Sequence, residues 1–233
     1  MRRHHLRALL LPLLVAALVL GGCSGDDDDD ATPPAADPAP DVTPSTVPPE
    51  SGGIDIPEMP GTFAAPVPSL GFGIAVPEGW QATLLSEDAL ARLEEAALSR
   101  PSFLEAARQV AATGAVFYAA GIDDEGRVSE LKIDVQDDAD TGQDAIRDLA
   151  GSVVQSGQVT DGVVVDDDPE DDRIRVDYRI ALPSAEDGAP IDALGSQIFV
   201  VDGDRLWSLI VTSEDTGTQT ALLQIFDGSI AFD

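Results

Sequence analysis

The chain has 233 residues, with 43 acids against 13 bases and a formal net charge of −30. So acidic a chain repels phosphate backbones, which excludes nucleic acid as a partner, and it disfavours resting on anionic headgroups. One Cys and two His leave no disulfide and too few nitrogen and sulfur ligands for a zinc site.

Arg2, Arg3 and Arg7 precede an apolar run from Ala8 to Leu20, broken by Pro12, and then Leu20-Gly21-Gly22-Cys23. A basic head, a short apolar core and small residues before a cut make an export signal. As a helix the core is ~20 Å long, too short to span a hydrocarbon layer of ~30 Å. The last four residues resemble the lipobox of bacterial lipoproteins. That resemblance implies cleavage before Cys23 and acylation of its sulfur, where each buried methylene adds ~0.8 kcal/mol of membrane affinity. Residues 1–22 are thus expected to be a signal peptide. His4 and His5 leave with it, so the mature chain would hold no histidine and 43 acids against 10 bases.

Residues 23–62 read as the lipidated Cys23 and a disordered tether. Ser24 to Thr62 carries nine prolines, ten acids and no base, with Asp26 to Asp30 in one block. Such a segment buries too little apolar surface to offset its ordering entropy. Residues 63–233 have globular composition and suit one domain.

Within it, Phe72 to Val76 is expected as a strand, turned by Pro77-Glu78-Gly79 into a second from Trp80 to Leu85. Ser86 caps a helix reaching about Leu98, and Ser102 with Glu105 has capping-box spacing for another, ending near Gly114. Ala115 to Ile122 is an apolar strand. Asp123 to Gly126 turns it into Val128 to Gln136, where Leu131, Ile133 and Val135 alternate with Lys132, Asp134 and Gln136. Gln143 to Gln155 is a helix with Ile146, Leu149 and Val153 inward. Val159 to Val165 meets an acidic turn, Asp166 to Asp172, and returns as Arg173 to Leu182. A loop from Pro183 to Gly195 follows. Gln197 to Val201 and Arg205 to Thr212 form a hairpin around Asp202-Gly203, and Thr218 to Asp227 closes the domain as a helix. The hairpin strands are nearly continuously apolar and belong at the sheet centre. Arg173 to Leu182 alternates cleanly and belongs near an edge, with one face toward water.

Most site chemistries fail on inventory. Ser-His-Asp and Cys-His arrangements lack their parts. A Ser-Lys pair would need Lys132, the only lysine. Gly71-Phe72-Gly73 lacks the third glycine of a dinucleotide loop. No cofactor is expected. Two acidic stretches, Asp138 to Asp144 and Asp166 to Asp172, invite calcium, but the first misplaces its glycine and lacks a closing glutamate; both read as solvated turns. Trp80 and Trp207 read as core. With so many acids, a carboxylate pair for glycoside hydrolysis stays open.

The basic residues point further. Arg173, Arg175 and Arg179 share one face of one strand, and Lys132, facing away from its strand's apolar side, is placed on the same sheet surface. Arginine binds carboxylate and phosphate bidentately, so this patch is the candidate site for an anionic group of a partner or ligand. The competing reading has Asp177, Asp134 and the acidic turn neutralising the patch as surface ion pairs.

Residues 72–80, Phe-Gly-Ile-Ala-Val-Pro-Glu-Gly-Trp, the strand with Tyr178, the hairpin from Ile198 to Val211 and the ending Phe226-Asp-Gly-Ser-Ile-Ala-Phe232 resemble LpqN-type lipoproteins of mycobacteria and related actinobacteria, within the PsbP-like fold. The resemblance covers most of residues 70–233. It implies an α+β domain, an antiparallel sheet with helices packed on both faces (an α/β/α sandwich), and a non-enzymatic accessory role. The function expected is a membrane-anchored, extracytoplasmic binding module of the cell envelope, engaging a protein partner or small ligand. The alternatives are a carboxylate-based hydrolase of envelope glycans and a passive acidic surface protein.

Overall fold

β-Branched and aromatic runs punctuated by glycine and acidic turns set the strands of this protein. The computed structural model describes residues 54–95, 100–165, 173–183 and 190–233. Its strands are β1 (Thr62–Val67), β2 (Phe72–Pro77), β3 (Gln81–Leu84), β4 (Phe117–Ile122), β5 (Val128–Gln136), β6 (Thr160–Val165), β7 (Arg173–Pro183), β8 (Pro190–Asp202), β9 (Arg205–Ser213) and β10 (Ala231–Phe232). Its α-helices are α1 (Glu87–Glu95), α2 (Pro101–Ala111), α3 (Gln143–Gln155) and α4 (Thr216–Ser229). Seven strands form one antiparallel sheet in the order β3-β4-β5-β9-β8-β7-β6, and three form another in the order β1-β2-β10. The fold is α+β. The β8–β9 hairpin lies at the centre and β7 next to the edge strand β6, as the hydropathy of these strands requires.

Register fixes which side chains share a face. Arg175, Ile198, Leu209, Ile133 and Phe117 stand opposite one another in one row; Val176, Gln197, Ile210, Lys132 and Tyr118 stand in the next, on the other face. The first face carries the main core. Trp207 is fully buried there, stacked on Phe72 at 4.9 Å, with Leu222 and Phe226 of α4 and the small sheet above it. The second face carries two smaller cores: α3 over Val176 and Tyr178, and α1 and α2 over Tyr118. Helices thus lie on both faces, and a second sheet shares one of them. Both tryptophans serve packing: Trp80 meets Phe226 edge-on at 6.1 Å and lies against Gly121, where a Cβ would overlap its ring.

Several expectations are corrected. β2 and β3 do not pair as a hairpin. β2 is flanked by β1 and β10, so the chain changes sheet at Glu78-Gly79 and β3 joins β4. Packing begins before residue 63, since Ile54 is buried and Ile56 lies over Gly73. α2 starts with Pro101 at its first position and no side-chain cap, so the Ser102 and Glu105 box does not form. Ser86 does accept from the Ala89 amide at 3.2 Å, but the expected end of that helix lies outside the described residues. The loop expected from Pro183 to Gly195 contains strand: β8 begins at Pro190 and pairs along the whole of β7, while residues 184–189 lie outside the described residues. Gly195 allows this, because the Tyr178 ring covers it where a Cβ would sit. The β8–β9 turn is centred on Gly203 and Asp204, with Gly203 at φ +64.

Candidate functional site

β7 is amphipathic with a charged side. Arg173 stands opposite Val200 and Arg175 opposite Ile198, so Arg173, Arg175, Asp177 and Arg179 face the side of the sheet that α4 crosses. Between them and α4 runs a groove of about 540 Å³. Its floor adds Ser196 and Ile198 of β8, its wall is Gln219, Leu223 and Asp227 of α4, and its rim is Asp161 and Val163 of β6.

A chain of buried polar contacts underlies the groove. Gln219 Nε2 donates to Ser196 Oγ at 3.0 Å, Ser196 Oγ donates to Asp177 Oδ1 at 2.7 Å, and Arg175 Nε lies 3.2 Å from the same carboxylate oxygen. Ser196 is 1 % exposed and Gln219 7 %, so both hydrogen-bonding groups are buried between the helix and the sheet. Polar groups buried like this are costly unless paired, and a fully paired chain holds its members rigidly. Here it holds Asp177, whose carboxylate Arg175 Nε meets as an ion pair rather than as a further hydrogen bond. At one end of the groove Arg173 meets Asp227 Oδ1 at 2.9 Å; at the other, Arg179 meets Asp161 Oδ2 at 3.9 Å.

The three arginines are thus gathered as the alternation requires, and each is matched by an acid. Lys132 is not among them. It stands opposite Tyr118 and Ile210, on the other face of the sheet, because two strands separate β5 from β7 and the register keeps it level with Val176. Its ammonium pairs with Asp134 at 3.3 Å, both side chains being nearly buried. Asp134 is therefore not a counter-ion of the arginine patch either. The acidic turn proposed for that role, and Cys23, lie outside the described residues. Asp161, Asp227, Ser196 and Gln219 were not singled out from sequence. The visible cues were a polar residue on the apolar stripe of α4, three positions before Leu222, and a serine between Leu194 and Ile198 on one face of β8.

The opposite face holds a second polar stripe, Glu130, Lys132 and Asp134 of β5. The Tyr118 hydroxyl donates to Glu130 Oε1 at 2.6 Å. Burial pushes the Glu130 carboxyl above its ordinary range, with the Tyr118 hydrogen bond opposing. Burial also raises Asp134, against the pull of Lys132. Tyr118 is raised in turn by burial and by Glu130. Glu130 and Asp134 lie four residues apart on one strand, their Cα atoms about 13 Å apart, with Lys132 between them. Asp140 Oδ1 accepts from the Gly142 amide at 3.1 Å, as a turn requires, and among the described residues no three acids converge where a metal would sit. No described helix is long and apolar enough to cross a membrane.

No family model matches the chain, and no curated protein matches it. Among solved structures it is similar to the solution structure of cyanobacterial PsbP (CyanoP) from Synechocystis sp. PCC 6803, at 9 % identity and a TM-score of 0.44, over 76 % of this chain and 95 % of that one. It is also similar to the Ran-binding protein Mog1p of Saccharomyces cerevisiae, at 9 % identity and a TM-score of 0.40, over 72 % and 94 %. Similarity at this level assigns the chain to no family.

Proposed function

We propose that this protein is a lipid-anchored, extracytoplasmic binding module of the LpqN type, non-catalytic, which engages a partner through the groove between β7 and α4. The observation that carries the reading is the buried Gln219–Ser196–Asp177 chain beneath Arg175. It spends buried polar groups on positioning surface charges, which packing alone does not call for. The anchor is supported by Leu20-Gly21-Gly22 before the chain's single cysteine. The carboxylates of the groove, Asp161, Asp177 and Asp227, each lie beside an arginine, an arrangement suited to exchange of ion pairs rather than to proton transfer.

The test is capture from native membranes with the complete chain as bait. The Arg175→Gln, Arg179→Gln variant should lose the captured partner while its melting temperature stays within a few degrees. Retained capture by a well-folded variant overturns the groove reading. The anchor is tested by Cys23→Ser: fatty-acid label and membrane fractionation should both be lost.

A further inference from the structure

We infer that the groove takes an extended peptide segment bearing a carboxylate, and that Asp161 is the resting stand-in for that carboxylate on Arg179. This rests on the groove reading above and names its ligand class.

The three ion pairs of the groove are not equivalent. Arg173 meets both the carboxylate and the backbone carbonyl of Asp227, at 2.9 and 3.1 Å. Arg175 lies beside an aspartate held by the buried chain. Arg179 and Asp161 are 3.9 Å apart, with side chains 53 % and 81 % exposed. Water screens such a pair and it adds little to stability. Asp161 also sits at a β-bulge, where the pairing of β6 with β7 shifts register between Thr160 and Val163. Its φ is +52, in the left-handed region that residues other than glycine seldom adopt. The bulge frees Asp161 from the ladder and brings its carboxylate to Arg179 at the groove's rim. Bulges recur where a side chain is re-aimed beside a site.

An incoming carboxylate displaces Asp161 from Arg179, and the freed Asp161 charge stays on the chain at the exposed rim. Binding therefore adds one negative charge, and the new pair gains bidentate geometry on the guanidinium. A phosphate dianion would add two beside Asp177 and Asp227. The shape favours an extended segment over an enclosed small molecule, since the groove runs open between a helix and the last described strand of the sheet. Val163, 59 % exposed, with Ile198 and Leu223, gives apolar ground beside the charge. A chain alternating acidic and apolar residues matches that pattern at the two-residue period of extended backbone.

The experiment uses the complete chain in detergent and a fluorescein-labelled peptide alternating Glu and Val, read by anisotropy, with the Gln–Val peptide and inorganic phosphate as further probes. Saturable binding of the Glu–Val peptide and none of the Gln–Val peptide is expected. Asp161→Asn should tighten binding roughly two- to fivefold, the effect of removing an exposed competing pair. Arg179→Gln should weaken it at least about tenfold, with Arg179→Lys intermediate because it keeps the charge and loses the fork. Unchanged or weaker binding by Asp161→Asn overturns the stand-in role. Phosphate displacing the peptide more effectively than acetate overturns the carboxylate assignment. No peptide binding, with membrane capture still dependent on Arg175 and Arg179, overturns the ligand class and leaves the groove reading standing. Loss of that dependence overturns the reading itself.

Discussion

Ser196→Ala tests whether the polar chain beneath the groove acts as a unit. The substitution removes the hydroxyl that accepts from Gln219 Nε2 at 3.0 Å and donates to Asp177 Oδ1 at 2.7 Å. The lost Gln219 bond contributes about 1 kcal/mol, and stranding that amide, on a residue 7 % exposed, costs a further ~1–2 kcal/mol. Asp177 loses little, because its side chain is 40 % exposed and water replaces the donor. The expected loss is about 2–3 kcal/mol, or roughly 5–10 °C in midpoint for a domain of this size. Gln219→Leu alone costs less, since Ser196 keeps its bond to Asp177. Adding Gln219→Leu to Ser196→Ala removes the stranded amide and should recover stability, leaving the double variant only about 1 kcal/mol below the parent. Urea titrations of the four proteins measure this at constant m-value. Additive losses, with the double variant the least stable, would refute the coupling and with it the argument that the chain acts as a unit.

Four further outcomes are expected. Glu130 and Asp134 have folded-state pKa values raised by burial, so the stability linked to their protonation is complete below their unfolded values and is lost as pH rises through the folded ones. Glu130→Gln should therefore melt above the parent at pH 7, with the gap closing below about pH 4.5, the ordinary value for glutamate; an equal gap at both pH values contradicts this. Asp215 and Asp123 act in the opposite sense. Hydrogen bonds from Thr218 hold Asp215 low, and those from Arg127 hold Asp123 low against burial, so their contribution is present at neutral pH and lost as pH falls through the folded values. Gly195→Ala should cost about 1–3 kcal/mol in urea unfolding, because its Cβ would overlap the Tyr178 ring and force it aside. Sodium chloride should raise the melting temperature by screening self-repulsion in a chain of net charge −30, and a midpoint flat between dilute buffer and half-molar salt would count against that.

Local pattern alone determined most of the elements. α3 spans Gln143–Gln155 and β5 spans Val128–Gln136, the bounds that periodicity gives, because each buries one regular face. The central place of β8 and β9 and the amphipathic β7 beside the edge were legible for the same reason, since hydropathy records how many faces of a strand are covered. What the sequence did not carry was partner choice. Nothing in residues 72–85 distinguishes a hairpin from a chain that crosses between two sheets; that depends on β1 and β10 flanking β2. The candidate site divides the same way. Three arginines on one face follow from their spacing of two and four residues along one strand. Whether Lys132 joins them depends on register across β9 and β8, a long-range property that set it on the opposite face beside Asp134. The counter-ions Asp161 and Asp227, and the buried Ser196 and Gln219, come from three different elements. Only tertiary packing brings them to β7, because side-chain period fixes the direction a residue faces within its own strand or helix and says nothing of what stands opposite.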